Sequence, residues 1–243
     1  MAESESGGKR VAFFGGSFDP PHLGHLGVAH AALDALQLDM VLFAPVGAQP
    51  LKAQGATAPF EERLVMTRLA IAGEPRFGIS LADSPRSDGR PNYTLDTLQA
   101  LRAGLPADSS LFCLMGADSM QGLRCWHRAA EIPFVASLIV ASRPGQRLDD
   151  LVSLLPEGLG FSDSQVNEHP GSAVQLKSYL LQNPQGESAA FHLLPGIHLD
   201  ISASEIRRLV RQAPGGTASG RQLLPASVYD WILSHGLYRQ EVS

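Results

Sequence analysis

Residues 15–25 read Gly15-Gly16-Ser17-Phe18-Asp19-Pro20-Pro21-His22-Leu23-Gly24-His25, between the apolar run Val11–Phe14 and an alanine-rich stretch. The order predicts a strand, a glycine turn, and a helix whose first turn carries two histidines. At such a junction the carboxyl end of a strand meets the amino end of a helix. Main-chain N–H groups and the positive end of the helix dipole then face one spot, where a polyphosphate can sit. Imidazoles placed there can stabilise charge on phosphate as well as hold it.

Gly15 and Gly16 can take positive φ and let an anion approach the backbone, although an ordinary strand-to-helix turn would read the same way. Two other phosphate signatures are missing: there is no G-x-x-x-x-G-K-[ST], and no G-x-G-x-x-G follows this strand. His22 and His25 stand at i and i+3 and so share one helix face, with Gly24 leaving the space between them open. Either histidine alone reads as a cap or a surface residue. It is the combination that points to phosphate chemistry.

Composition narrows the partners. The chain has 243 residues, enough for one large α/β domain with a full core, and a formal net charge of −5 with no basic run. Nucleic-acid binding by phosphate neutralisation is therefore not expected. The two cysteines, Cys113 and Cys125, cannot form a structural zinc set, and Cys113 lies in the apolar run Leu111–Met115 as a core residue. No apolar stretch reaches membrane-spanning length, and Met1–Lys9 is polar and acidic rather than a leader, which gives a cytoplasmic expectation with no membrane partner.

Apolar runs alternate with helical stretches along the chain. Strands are expected at Val11–Phe14, Met40–Pro45, Leu111–Met115 and Pro133–Ala141, with a short extended piece at Phe77–Leu81. Helices are expected at Leu23–Leu36, Phe60–Ala72 (with Leu64, Thr67, Leu69 and Ile71 among its less polar positions) and Thr94–Ala103. The alternation predicts an α/β fold: a doubly wound, mostly parallel sheet with helices on both faces and its ligand at strand carboxyl ends. Residues 1–8 read as disordered and 9–243 as a single domain. An irregular insertion is expected at about 146–192, holding one helix near Ala173–Gln182, and Pro214–Gly220 reads as a flexible loop.

A second constellation, Ile201-Ser202-Ala203-Ser204-Glu205-Ile206-Arg207, starts another helix. Ser202 or Ser204 can cap it, and an N-terminal turn with hydroxyls and an arginine is again suited to an anion. This segment resembles the I-S-x-[ST]-x-I-R motif, and His22–His25 the (T/H)-x-G-H motif, of the nucleotidyltransferase superfamily, whose fold is Rossmann-like. Asn92-Tyr93-Thr94-Leu95-Asp96-Thr97-Leu98 is similar to the S-Y-T-x-x-T-L segment of bacterial nicotinate-nucleotide adenylyltransferases. Gly116-Ala117-Asp118-Ser119 with Trp126-His127, Ala141–Gly145 and Gly236-Leu237-Tyr238 fit the same family.

The resemblance implies AMP transfer from ATP to nicotinate mononucleotide, giving deamido-NAD and pyrophosphate in NAD biosynthesis. It assigns His22, His25 and Arg207 to catalysis. ATP falls to Gly15, Gly16, Ser17, Phe18, His22, His25, Gly116, Asp118, Ile201, Ser202, Ser204 and Arg207. The mononucleotide falls to Lys52, Tyr93, Thr94, Trp126 and His127. Read without the resemblance, Asp118 could equally cap a helix, Trp126 be a packed aromatic and Lys52 a solvated loop residue. Where the family has Pro-Pro-His-Lys, this chain has Leu51 before Lys52, and Asn92 replaces the usual serine.

No protein nucleophile is needed, because the substrate phosphate attacks and charge stabilisation does the rest. Mg²⁺ is expected through the ATP phosphates and water, with no dedicated protein ligands. Asp19, the nearest carboxylate, suits a turn role beside Pro20. Two rival readings are a sister adenylyltransferase acting on nicotinamide mononucleotide or pantetheine phosphate, and a non-catalytic ATP sensor. A homo-oligomer stays open.

Overall fold

The computed structural model describes residues 7–48, 55–142, 148–162, 176–197, 201–213 and 218–239. Along the chain run β1 (Arg10–Gly16), α1 (Leu23–Leu36), β2 (Met40–Pro45), α2 (Phe60–Ile71), β3 (Phe77–Ile79), α3 (Thr94–Gly104), β4 (Ser110–Gly116) and α4 (Ala117–Gly122). After them come α5 (Ile132–Val135), β5 (Ser137–Ala141), α6 (Leu148–Val152), β6 (Gly160–Ser162), β7 (Lys177–Gln182) and β8 (Ser188–Leu194). Helices α7 (Ala203–Gln212), α8 (Ala218–Gln222) and α9 (Ala226–Ser234) close the described chain. The strands form one sheet in the order β3-β2-β1-β4-β5-β8-β7-β6. From β3 to β8 all neighbours are parallel, and β7 pairs antiparallel with both β8 and β6.

Strand alternation splits the core into two layers. Ala12, Phe14, Phe112 and Leu114 face the side covered by α1, α2, α7 and α9. Phe13, Leu111, Cys113 and Met115 face the side covered by α3, α4 and α5. The central strands are therefore buried on both faces, which is why their sequences are continuous apolar runs. From β1 the chain winds one way through β2 to β3, and the other way from β4 to β5. The order thus reverses between β1 and β4, and this opens a crevice at their carboxyl ends. No helix among the described residues is long and apolar enough to cross a membrane.

The structure departs from the sequence reading in four places. Pro133-Phe134-Val135 belongs to α5, and the strand starts only at Ser137, because a proline is tolerated in a first helical turn and not in a central ladder. The helix expected near Ala173–Gln182 is strand β7 over Lys177–Gln182; residues 171–175 lie outside the described residues. Its Tyr179 packs on Phe161 and Phe191, so tertiary pairing overrides the local helix preference of its leucines and glutamine. Within the stretch expected to be an irregular insertion, Gly160–Ser162, Lys177–Gln182 and the start of Ser188–Leu194 are strands of the same sheet; residues 146–147 and 163–175 lie outside the described residues. Finally, the last three residues of the loop expected at Pro214–Gly220 open the helix Ala218–Gln222, while residues 214–217 lie outside the described residues. Gly220 of this helix is buried, and the carbonyl of Leu223 just beyond accepts a bond from the Leu23 N–H that opens α1.

Candidate active site

A cleft of about 770 Å³ opens over the carboxyl ends of β1 and β4. The amino ends of α1, α3, α4 and α7 all border it. It lies within the size range of small-molecule sites, and helix amino ends favour a ligand with several negative charges.

Neither Gly15 nor Gly16 has positive φ; the left-handed residue of the turn is Phe18, at φ 46°. The glycines are needed for space, since a Cβ on Gly15 would come within 2.8 Å of the Phe13 ring. The loop after them is held from beneath by two residues that the sequence did not flag for this task. Arg63 of α2 is 2% exposed, and its guanidinium donates to the carbonyls of Ser17 (2.7 Å), Val46 (2.9 Å) and Ala58 (3.1 Å). Burial lowers its pKa while nearby Asp19 raises it. Asp19 accepts from the N–H groups of Thr57 (2.6 Å) and Ala58 (3.1 Å) and from the Tyr238 hydroxyl (2.8 Å). A turn carboxylate is thus also the hub of the loop.

His22 is the cap residue of α1, in extended conformation, and so stands just outside the helix proper. The two rings stack, with centroids 3.7 Å apart. The main-chain N–H of His22 donates to Nδ1 of His25 at 3.2 Å. A main-chain N–H can only donate, so Nδ1 must offer its lone pair, and the proton of a neutral His25 ring sits on Nε2. Burial, and then the neighbouring His22, hold the His25 pKa well below its ordinary 6.5. Phe14 and Phe18 enclose the ring, and His25 borders the cleft as a neutral donor.

This has a consequence for stability. Because the folded pKa is lowered, the unfolded chain binds the extra proton first. The penalty is absent above pH 6.5, grows as pH falls through it, and levels off below the folded value. The His25→Asn variant is expected to show a shallower loss of urea midpoint between pH 7 and pH 5 than the wild type. The difference should be at most about 1.4 kcal/mol for each pH unit. Parallel pH profiles would remove the assignment.

On the other wall, the Ser202 side chain caps α7 by accepting from Glu205 N–H at 3.1 Å. Arg207, one turn further on, donates to the main-chain carbonyl of Asp19 at 2.7 Å and to the Ser204 hydroxyl at 3.2 Å. The serine–arginine helix start and the histidine loop are therefore in direct contact, although they are 188 residues apart. A Cβ on Gly24 would stand 3.6 Å from the Ile201 side chain and 3.0 Å from the His22 ring, so a glycine lets these segments close.

The remaining wall is built by α3 and the turn after α4. Tyr93 precedes α3 and packs on His127 with ring centroids 4.5 Å apart. Trp126 borders the cleft and leans on the core layer beneath α3. Asn92 Oδ1 accepts from Ala48 N–H at 3.3 Å and its amide donates to the Ser84 carbonyl at 3.0 Å, tying two loops together. Gly116, not Asp118, holds the cap position of α4, so Asp118 stands in the first turn of that helix with its residue bordering the cleft. Buried Asp83 accepts from the Thr97 hydroxyl; burial pushes its carboxyl up and that bond holds it down.

Gly15, Gly16, Ser17, Phe18, His22, His25, Tyr93, Thr94, Gly116, Asp118, Trp126, His127, Ile201, Ser202, Ser204 and Arg207 all line this one cleft. Lys52 and Leu51 lie outside the described residues. Arg63 and Asp83 were not singled out from sequence, and Tyr238 was named only within a family segment and given no role, because their contacts are made with loops and not with neighbours in the chain. Among the described residues no three His, Cys, Asp or Glu side chains converge as metal ligands.

The cytidylyltransferase-like family model matches residues 13–209. A Trichlorobacter lovleyi protein named "Probable nicotinate-nucleotide adenylyltransferase" is 37% identical over 231 residues, covering 95% of this chain and 99% of that protein. A Thermomicrobium roseum protein of the same name is 37% identical over 230 residues, covering 95% and 92%. The solved Plasmodium falciparum nicotinic acid mononucleotide adenylyltransferase complexed with NaAD shares the fold, with a TM-score of 0.67 at 14% identity over 97% of this chain and 100% of that one. With the family model spanning most of the chain and relatives matched nearly end to end, the chain belongs to the cytidylyltransferase-like family and, within it, to the nicotinate-nucleotide adenylyltransferases.

Proposed function

We propose that this chain transfers AMP from ATP to nicotinate mononucleotide, releasing pyrophosphate and giving deamido-NAD for NAD biosynthesis, with residues 9–243 working as one cytoplasmic domain. The observation that carries the reading is the contact of Arg207 with the histidine loop, which makes one polar cradle from two distant motifs. A phosphate oxygen of the mononucleotide attacks the α-phosphorus of ATP, and the bond to the β-phosphate bridging oxygen breaks. The main chain of Gly15–Ser17 and the first turn of α1 hold phosphate. His25 donates from Nε2 to the α-phosphate as charge develops there, with His22 beside it. Arg207, Ser202 and Ser204 receive the leaving pyrophosphate, next to Ile201 and Phe18. Asp118, after Gly116, takes the adenosine ribose.

Trp126 stacks on the pyridine ring beside Tyr93, while N–H groups at Thr94 and His127 donate to the carboxylate and Lys52 meets phosphate. The cleft's donors suit phosphate oxygens rather than a bare cation, which fits a divalent metal arriving on ATP, as Mg²⁺, and keeping most of its waters. When bound with ATP, such an ion would supply neutralisation of charge on the leaving group. Pyrophosphate release from ATP and nicotinate mononucleotide is the test, and nicotinamide mononucleotide is expected to be at least about tenfold poorer in kcat/KM. Equal use of the amide, or turnover of neither, would overturn the proposal.

A further inference from the structure

Of the cleft carboxylates, Asp118 has a place in the reaction scheme and Asp19 is taken up by the loop it holds, which leaves Asp83. Asp83, in the loop after β3, is 4% exposed and borders the cleft. Its Oδ1 accepts from the Thr97 hydroxyl of α3, and its main-chain carbonyl accepts from Gly47 N–H at 2.7 Å. Oδ2 makes no hydrogen bond among the described residues, and lies 3.8 Å from where a Cβ on Gly15 would stand. The residue is buried, but Oδ2 is not a sealed orphan: it keeps access to the cleft, where a ligand or solvent can supply the donor that an ionised oxygen needs. The loop contact and the Thr97 bond fix this oxygen on the α3 side of β1, between the Gly15–Gly16 main chain and the first turn of α3.

We infer that Asp83 Oδ2 accepts a hydrogen bond from a ribose hydroxyl of the pyridine mononucleotide and thereby sets how tightly that substrate is held. The inference rests on the adenylyl-transfer reading of the cleft. Its geometry is simple: a ribose is the part of a mononucleotide that spans from phosphate to base. Here the phosphate cradle and the proposed ring site flank Asp83 on either side. Its chemistry is equally restrictive. At neutral pH the nicotinate carboxylate and the phosphate offer only acceptors, so the ribose hydroxyls are the donors that this substrate brings. A charged acceptor for a hydroxyl is among the stronger neutral–ionic hydrogen bonds and rejects an analogue that lacks the hydroxyl.

Asp83→Asn keeps the oxygen that Thr97 binds and turns Oδ2 into a donor, so the fold should survive. The KM for nicotinate mononucleotide is expected to rise about tenfold to hundredfold, with the KM for ATP within about twofold and the melting temperature near that of the wild type. With 2′-deoxy and 3′-deoxy nicotinate mononucleotide, the wild type should lose a similar factor on one analogue, and the variant should lose little more on that same analogue. An unchanged mononucleotide KM in the variant, a rise confined to ATP, or equal further losses on both analogues would overturn the inference while leaving the activity in place. Wild-type protein without pyrophosphate release would instead overturn the underlying reading, and the inference with it.

Discussion

Replacing His25 by asparagine will lower kcat for adenylyl transfer by about 10²–10³, the usual cost of removing one positioned donor from a site of developing negative charge. The choice of substitution matters. The asparagine amide oxygen falls near the position of Nδ1, so the bond from the His22 N–H survives while the donor at Nε2 is lost. Glutamine does the reverse: its amide nitrogen reaches the position of Nε2, and the loop bond is lost. His25→Gln should therefore retain more kcat than His25→Asn, by about tenfold or more, although it disturbs the turn. The KM for ATP should move less than kcat in both, because the bond in question strengthens as the α-phosphorus is attacked. If the two variants were equally impaired, the assigned tautomer would be wrong. If asparagine were as active as histidine, His25 would have no part in the chemistry.

What the sequence made legible follows from where its signals come from. The bounds of α1 and β2 are as expected, because an apolar run ends in glycine before β1's turn and a polar break separates Leu36 from Met40. His22, His25 and Arg207 were legible through short motifs whose chemistry lies within a few residues. Arg63 was not, although the pattern held a clue. The buried positions of α2 are Arg63, Met66, Thr67, Ala70 and Ile71, a regular helical stripe headed by an arginine. Of the less polar positions read from the sequence, Thr67 and Ile71 lie on this stripe, whereas Leu64 and Leu69 are only partly buried beside it.

Strand β7 shows the opposite failure. Its own residues suit a helix, but Asn183-Pro184-Gln185-Gly186 just after it is a turn sequence, with Asn183 Oδ1 accepting from Gln185 and Glu187 and Gly186 at φ 83°. The turn between two runs was the hairpin signal. Asp83 left no local trace, and the family segment holding Tyr238 gave no hint of its task, since their partners Thr97 and Asp19 lie 14 and 219 residues away. Loop-to-loop contacts of that kind appear only once the sheet has set the loops side by side.

Asp19→Ala will be the most destabilising single change in the cleft wall, costing about 3–5 kcal/mol in urea unfolding. The deleted carboxylate leaves two main-chain N–H groups and a buried tyrosine hydroxyl without their acceptor. It also leaves the enclosed Arg63 without its nearest countercharge, and removes the carboxylate 3.8 Å from Arg207. Because Arg207 also binds the Asp19 carbonyl and Arg63 the Ser17 carbonyl, the loop should shift where phosphate is to be held. Activity at a temperature where the variant is still folded is therefore expected to fall by more than about tenfold. Tyr238→Phe isolates one strand of the network and should cost only about 1 kcal/mol, with kcat nearly unchanged. Asp19→Asn should fall between the two, since it keeps one acceptor but sets an amide N–H against the Thr57 N–H. A loss below about 1 kcal/mol for the alanine variant would mean that water replaces the carboxylate at little cost. In that case Asp19 would be an ordinary turn residue, and the link between the carboxyl-terminal tyrosine and the phosphate loop would carry no energy.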